Sequence, residues 1–517
     1  LQPLFHAGMS IETIMNMYKA DAALIWNAVP IVPAKLLWAA VTTIMLIAGL
    51  WAWTSGLPGP FQFDDHVTPL GDPASQSLAA WQQYLPVTLR PVTKLSYALE
   101  AEAGIGGDPA ARRLVSILLQ VITAGLLFLL IARLAPAAAP ASVARSATHS
   151  ATHSATHAAP WGAALLAAIW FVHPVHADSI LMLSGRTAVL STVFLLAALL
   201  ALERSHSWWA ALLFVLACLA RETALAGLLP LLVLAASRPG ATPRSTLREV
   251  SPVLISSVIV LCWILTTPRY LELAEFSLFG RPFWSSFSSQ VGAVPVGLGL
   301  LFNPSALSID YGLPLPNQPL EPMVLLGLAM YVAAVVGICL LVRRSRLAAV
   351  GLALWLAALL PTQSLIPKLD ALTNRPLSLA LAGLLLVLAP VLTAAWQRLR
   401  PAPAGRRAGV DAAGITTDVP AGTRWVASSC AVALVLALSA ATVQRAGLFQ
   451  SEISLWQDAA SKSLTNAQTH MQYAVLLKSE GRDKEAWEAI SMARSIDPFS
   501  SDIAAMSHAF QLKEVMQ

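Results

Sequence analysis

Long apolar runs alternate with short polar stretches along this chain, and the runs have the length of helices that cross a bilayer. A spanning helix takes about 20 apolar residues. Runs of that kind fall at roughly 35–54, 113–134, 160–177, 187–203, 207–220, 224–237, 251–267, 323–342, 347–363, 377–397 and 425–444, about eleven in all. The pair 207–220 and 224–237 is short and flanks Arg221-Glu222. The pattern predicts an all-α, polytopic membrane protein with a domain over 35–449, preceded by a segment 1–34. Residues 11–28 carry apolar groups at helical spacing and read either as a helix lying on the membrane surface or as a juxtamembrane extension.

Arginine placement orients these spans. Arg238, Arg244 and Arg248 mark one loop, Arg343, Arg344 and Arg346 a second, and Arg398, Arg400, Arg406 and Arg407 a third. Basic loops stay cytoplasmic. With these three inside, the apolar but Ser- and Gly-rich stretch 284–302 makes no net crossing, because one more span would invert everything after it. It therefore reads as a re-entrant or interfacial helix. The N-terminus is then cytoplasmic, and loops 56–112, 178–186, 268–322 and 364–376 face outward together with the C-terminal tail.

Composition agrees with the pattern. The 517 residues are 56% hydrophobic and 12% charged, with a mean hydropathy of +0.65, where soluble domains carry about 25% charged residues. The net charge of +5 comes mainly from arginines in short clusters between apolar runs, which fits basic loops and not a nucleic-acid surface. Cys218, Cys262, Cys339 and Cys430 all lie in apolar segments without metal-ligand spacing. Residues 135–159 are an Ala/Pro-rich, low-complexity cytoplasmic linker with three near-copies of SATH. His149, His153 and His157 in it would share one helical face, which leaves a metal-binding reading beside that of a disordered linker.

From Gln450 the chain turns polar and helical. Within NAQTHMQYAVLLKSEGRDKEAWEAISMARSIDP (466–498), Gly481, Ala486, Ala493 and Pro498 have tetratricopeptide spacing: a Gly between two helices, small residues where they cross and a closing Pro. His470 stands at the usual Trp and Ala474 at the usual Gly. A single repeat cannot bury its own face, so 450–517 should lean on flanking helices, the membrane domain or a partner.

Ionisable groups gather at the outward ends of the runs. FDDH supplies Asp64, Asp65 and His66, and LRPVTKLSYAL supplies Arg90. HPVHADSILMLSGR adds His173, His176, Asp178 and Arg186, ARETALAG adds Arg221 and Glu222, and LSIDYGLP adds Asp310 and Tyr311. IPKLDALTNRP adds Lys368, Asp370 and Arg375. Such groups at span ends suggest a shared aqueous cavity. A carboxylate can deprotonate an incoming hydroxyl, and arginines can hold a departing phosphate, which suits an inverting glycosyl transfer. The histidines flank Pro174 without a close acidic ligand, so they read as backbone hydrogen-bonding groups at a broken helix end.

The order FDDH, LRPVTKLSYAL, HPVHADSILMLSGRTAVLSTVFLLAALLAL, RETALAGLLPLLVL, LLPTQSLIPKLDALTNRPLSLALAGLLL and then one tetratricopeptide repeat resembles the bacterial relatives of the transmembrane and tetratricopeptide-repeat O-mannosyltransferases, members of the GT-C superfamily, over about 60–500. The resemblance implies a GT-C-like membrane domain and a polyprenyl-phosphate-sugar donor, with the base at Asp64 or Asp65. It places Arg90, His173, His176, Arg186, Arg221, Glu222 and Arg375 around donor phosphate and substrate. A divalent cation stays open as a cofactor, with no dedicated metal ligands. Where the family reads like AERYLYLP, this chain has TNRPLSLA: the Arg is kept as Arg375, and the acidic residue and both tyrosines are absent. Two functions follow. One is a glycosyltransferase of the bacterial inner membrane, acting on an extracytoplasmic acceptor such as protein Ser/Thr. The other is a non-catalytic subunit that docks into a larger membrane complex by its tail and N-terminal helix. The expected partners are membrane lipid, the polyprenyl-phosphate sugar, and a protein acceptor or partner subunits at the tail, with no nucleic acid. A transporter is disfavoured, because no inverted repeat is visible.

The orientation is directly testable. A reporter that works only after export should be active when fused behind Gln517; activity there of a reporter that works only in the cytoplasm would overturn the map.

Overall fold

The computed structural model describes residues 43, 47–135, 159–279, 282–312, 316, 318–364, 370–398, 421–463 and 465–515. Residues 1–47 form a unit of their own, nearly all of it outside the described residues, and 48–517 form a second. The expected surface helix 11–28, the first part of the 35–54 span, His149, His153, His157 and Lys368 lie outside the described residues.

The described chain is helical, with no strand. Seven helices among the described residues are long and apolar enough to cross a membrane: Pro109–Leu134, Leu183–Glu203, Pro243–Thr266, Phe283–Phe302, Pro322–Leu341, Asn374–Ala395 and Ser429–Gln450. An eighth is broken: Gly162–Val172 and Pro174–Ile180 meet at 49°, at His173-Pro174, where proline removes a donor and blocks the preceding turn. Three more apolar helices are shorter: Ser207–Ala220, Glu222–Ala236 and Arg346–Leu359. Many outward side chains are apolar, such as Ile255, Val258, Ile259, Val332 and Leu340. A belt of that kind belongs in lipid. This is a helical membrane protein.

Close helix packing is set by small residues. The Arg346–Leu359 and Asn374–Arg398 helices approach at Gly351 and Gly383. A Cβ on Gly351 would lie 2.5 Å from the Gly383 carbonyl oxygen, and one on Gly383 2.6 Å from that of Gly351. Without a hydrophobic drive between helices in lipid, such backbone approach supplies the dispersion contact.

Charged groups separate to the two ends of the bundle. At one end Arg343 donates to the Ala241 carbonyl (2.9 Å), Arg238 pairs with Glu249 (2.7 Å) and Arg346 with Glu203. Arg186 begins the helix that Glu203 ends, so the two lie about 26 Å apart at 1.5 Å per residue. At the Arg186 end lie the FDDH turn, Arg221-Glu222, Asn374-Arg375 and the polar tail.

The stretch 284–302 is not broken. Phe283–Phe302 is one helix running through Pro295, and it is long enough to span. Its C-terminal turn reaches the Arg186 end, where the Leu301 carbonyl meets His173 Nε2 at 3.0 Å. The helix before it, Pro268–Phe279, also starts there, with the Arg90 N–H donating to the Tyr270 hydroxyl at 3.4 Å. The loop 56–112 likewise holds helices, Leu78–Tyr84 and Pro91–Glu102, that apolar periodicity did not bring out.

The tail holds four helices: Glu452–Lys462, Ala467–Ser479, Asp483–Ile496 and Ser501–Val515. The middle pair turns at Gly481, whose φ of 74° is left-handed. There the Arg482 N–H donates to the Leu477 carbonyl and the Gly481 N–H to that of Lys478, the paired bonds of a Schellman cap. Ala474, Leu477, Ala486, Ile490 and Ala493 are fully buried in one small core with Ile503 and Phe510. The tail is fastened to the membrane domain by Asp310, which accepts from Thr469 Oγ1 (2.6 Å) and Asn466 Nδ2 (3.0 Å), and by Ser463, which donates to the Asp310 carbonyl.

Because Ala486 is fully buried in the core of the tail, Ala486→Trp should destabilise the tail by about 3 kcal/mol. Limited proteolysis should then cleave 450–515 while the membrane domain stays inserted; retained protease resistance would contradict this packing.

Candidate functional site

The site is built outward from a buried arginine. Arg113, in the first turns of the Pro109–Leu134 helix, is fully buried. Its Nε donates to the Leu181 carbonyl (2.8 Å), and its Nη atoms donate to the carbonyls of Gly56, Leu57, Gly59 and Pro60. One planar fork thus gathers the chain that follows the helical residues 47–54 and the chain that follows the broken helix. Gly59 is required here, since a Cβ would collide with the Phe449 carbonyl at 1.8 Å.

The FDDH turn follows directly. Phe63–His66 is a single 3-10 turn entered through a left-handed Phe63 (φ 33°). The two carboxylates diverge. Asp65 is fully buried; it accepts from the Gln62 N–H at 3.1 Å and the Ser184 N–H at 2.9 Å. Burial raises its proton affinity above the ordinary carboxyl range, against the backbone donors and the Arg113 charge, which lower it. Asp64 stays 44% exposed and meets Arg375 Nη2 at 3.2 Å. The same Nη2 donates to Ser184 Oγ at 3.1 Å.

Arg375 also lines a cleft together with Arg221, Ser191, Thr192, Thr223 and Thr362. The cleft lies among the Arg186–Glu203, Arg346–Leu359 and Asn374–Arg398 helices and the turn after Arg221. It is a small cleft of about 30 Å³. Beside it, Arg90, left-handed at φ 54° at the head of the Pro91–Glu102 helix, forms a two-pronged pair with Glu222 (2.9 and 2.7 Å). The Glu222 charge raises the Arg90 guanidinium further above its ordinary range.

The other expected residues are placed elsewhere. Arg186 is fully buried. It donates to Ser116 Oγ (3.0 Å) and the Arg112 carbonyl (2.7 Å), pairs with Glu100, and lies 4.8 Å from the centre of the Tyr97 ring. His173 caps the turn after the break, accepting from the Val175 N–H. His176 lies between Ser378 Oγ (2.8 Å) and the Trp170 carbonyl (2.6 Å). Asp178 joins Asn374 Nδ2 (2.6 Å) to Arg445 (3.3 Å). The structure therefore brings Asp64, Arg375 and Arg221 together, sets Arg90-Glu222 beside them, and keeps Asp65, Arg186, His173 and His176 within the packing. No group of three or more His, Cys, Asp or Glu residues that could hold a metal occurs among the described residues.

Sequence reasoning missed Arg113, Arg112, Glu100 and Arg445. The signal for the first two was present: Arg112-Arg113 opens a span at the end expected to be poor in arginine. Glu100 sits in an amphipathic loop helix, where a carboxylate draws no notice.

Burial predicts different costs for two arginines. Arg186→Met strips one partner from buried Glu100 and should cost about 3–5 kcal/mol, read as a lower thermal midpoint of the detergent-purified protein. Arg375→Met breaks a half-exposed pair and should cost less than about 1 kcal/mol. Equal midpoints for the two variants would contradict the burial of Arg186.

No family model matches the chain, and neither a curated protein nor a solved structure matches it.

Proposed function

We propose that the protein is a glycosyltransferase that moves a sugar from a polyprenyl phosphate to a hydroxyl acceptor outside the cytoplasmic membrane. The observation that carries the proposal is one juxtaposition: a half-exposed carboxylate, Asp64, on an arginine, Arg375, that also lines a cleft with Arg221 at one end of a lipid-embedded bundle. In this reading eleven spans cross the membrane, made up of the first run, the broken helix, the three short apolar helices and the long helices other than Phe283–Phe302. The Arg238–Arg343 end is cytoplasmic, and the tail is a single tetratricopeptide unit on the other side.

The reaction follows from the groups present. Asp64 takes the proton of the acceptor hydroxyl as that oxygen forms its bond to the anomeric carbon. The bond from that carbon to the phosphate oxygen breaks, its electron pair stays on the phosphate, and Arg375 and Arg221 stabilise the added charge. A phosphate leaving group needs no acid. Asp65, sewn to two backbone N–H groups, holds the turn instead of acting as base. The absence of both family tyrosines from TNRPLSLA leaves Arg375 to face the donor. Arg375 pairs with Asp64, so donor phosphate replaces a carboxylate on it and thereby frees the base.

The narrowness of the cleft favours a second reading, in which the chain is a non-catalytic subunit that keeps this architecture and docks by its tail. One experiment separates the two. Base removal lowers rates by about a hundredfold to ten-thousandfold, so Asp64→Asn should abolish glycosylation in the mass profile of cell-envelope proteins while membrane insertion is unchanged. Asp65→Asn should instead lower stability, since an amide nitrogen cannot accept from Ser184 or Gln62. An unaltered profile in Asp64→Asn would leave the docking subunit.

A further inference from the structure

The first tail helix, Glu452–Lys462, grips both halves of the Asp64–Arg375 pair, by two separate routes. Toward Asp64 the route is short. Glu452 Oε1 accepts from the Phe63 N–H at 2.8 Å, and the buried Trp456 meets the Phe63 ring edge-on, 5.2 Å between centres. Phe63 immediately precedes Asp64 and holds a left-handed φ of 33°. A bulky residue adopts that conformation only where its surroundings over-determine it. The contacts of Glu452 and Trp456 do so here.

Toward Arg375 the route runs through buried charges. Asp458, two residues beyond Trp456, pairs with Arg445 at 2.8 Å. Arg445 pairs with Asp178 at 3.3 Å, and Asp178 accepts from Asn374 Nδ2 at 2.6 Å. Asn374 is the neighbour of Arg375 and is itself buried. A tail domain that served only as an outside handle would have no need of either route.

We infer that Glu452 and Asp458 are positioning residues of the membrane site, and that the Glu452–Lys462 helix couples the tail to it. The inference rests on the transfer reading for its consequence in activity, but the coupling itself is a property of the Phe63–Asp64 turn. Glu452 acts as an acceptor of one backbone N–H, a task that does not need its charge. Gln retains the acceptor oxygen and Ala removes it.

Two measurements on the full-length protein in membranes test this. In the first, cell-envelope glycosylation is compared for Glu452→Ala, Glu452→Gln, Asp458→Ala and Asp64→Asn. A misplacement of about 1 Å can cost up to a hundredfold, so Glu452→Ala and Asp458→Ala should lower transfer by about tenfold or more, and Glu452→Gln should stay close to the parent. Equal loss in Glu452→Gln and Glu452→Ala, or no loss in Glu452→Ala where Asp64→Asn is dead, would overturn the positioning role. In the second, Asp64→Cys is placed in a background whose four native cysteines are replaced by Ser, and its labelling by a membrane-impermeant maleimide is timed. Adding Glu452→Ala should speed labelling by about fivefold, the opening expected from one lost hydrogen bond, and adding Glu452→Gln should not. Unchanged labelling would overturn the coupling whatever the protein transfers. If Asp64→Asn leaves glycosylation intact, the transfer reading falls and the labelling result alone decides the coupling.

Discussion

A single buried guanidinium decides where everything else at this end of the bundle can sit. Arg113 has five N–H donors and no access to water, so each donor needs a protein acceptor. It finds them in carbonyls of two chain segments, 56–60 and Leu181, that follow different helices. Those carbonyls end or follow helices and would otherwise be unsatisfied near lipid. The arginine and the loop satisfy each other. The consequence is geometric: once 56–60 is fastened beside Leu181, the turn that follows must lie over 182–186, where Asp65 finds the Ser184 N–H and Asp64 is left facing Arg375.

The charged residues divide by burial into two kinds. Asp65, Arg112, Arg113, Arg186 and Glu100 are buried and bond to backbone or pair with one another. Breaking such a set exposes the desolvation cost of whichever charge remains. Asp64, Arg375, Arg90 and Glu222 are partly exposed, and the Asp64–Arg375 pair, a single contact, contributes little to stability. A weakly held pair of opposite charges at a cleft is the arrangement that a phosphate can rearrange. The stability of the fold and the availability of the site are thus assigned to different residues, although Asp65 and Asp64 are neighbours in one motif, FDDH.

The apolar runs were legible because lipid imposes one length and one periodicity, and the loops that hold Arg238, Arg343 and Arg346 were legible as clusters of basic residues. The pairing at Gly351 and Gly383 was not legible, since small residues are common in such runs and only contact distinguishes them. Asp64 and Asp65 were expected to diverge because adjacent residues in an extended loop point apart. They do diverge, in a 3-10 turn, and which of them is buried is decided by Ser184, 119 residues further on. Arg186 drew notice as a span-end arginine, and nothing local could show that Glu100 and Tyr97 would enclose it. The helix Phe283–Phe302 was read as re-entrant or interfacial because one more crossing would invert the basic loops after it; it is one continuous helix, in which neighbouring helices tolerate Ser, Gly and Pro295.

The boundary near residue 450 marks a change of composition, from apolar to polar, and sequence reading naturally places a domain border there. The physical border is elsewhere. Phe449 accepts from Gln62, Gln450 donates to the Ser55 carbonyl, and Arg445 joins Asp178 in the membrane domain to Asp458 in the tail. These contacts fasten the turn before the first tail helix, and that helix through Asp458, to the membrane domain. The small core of the tail, by contrast, is drawn from Ala467 onward. The helix Glu452–Lys462 therefore belongs to both bodies. An element shared in this way transmits any shift of the tail to the turn that carries Asp64, and by the reciprocity of coupling free energies, occupancy of that end of the bundle must alter how the tail is held.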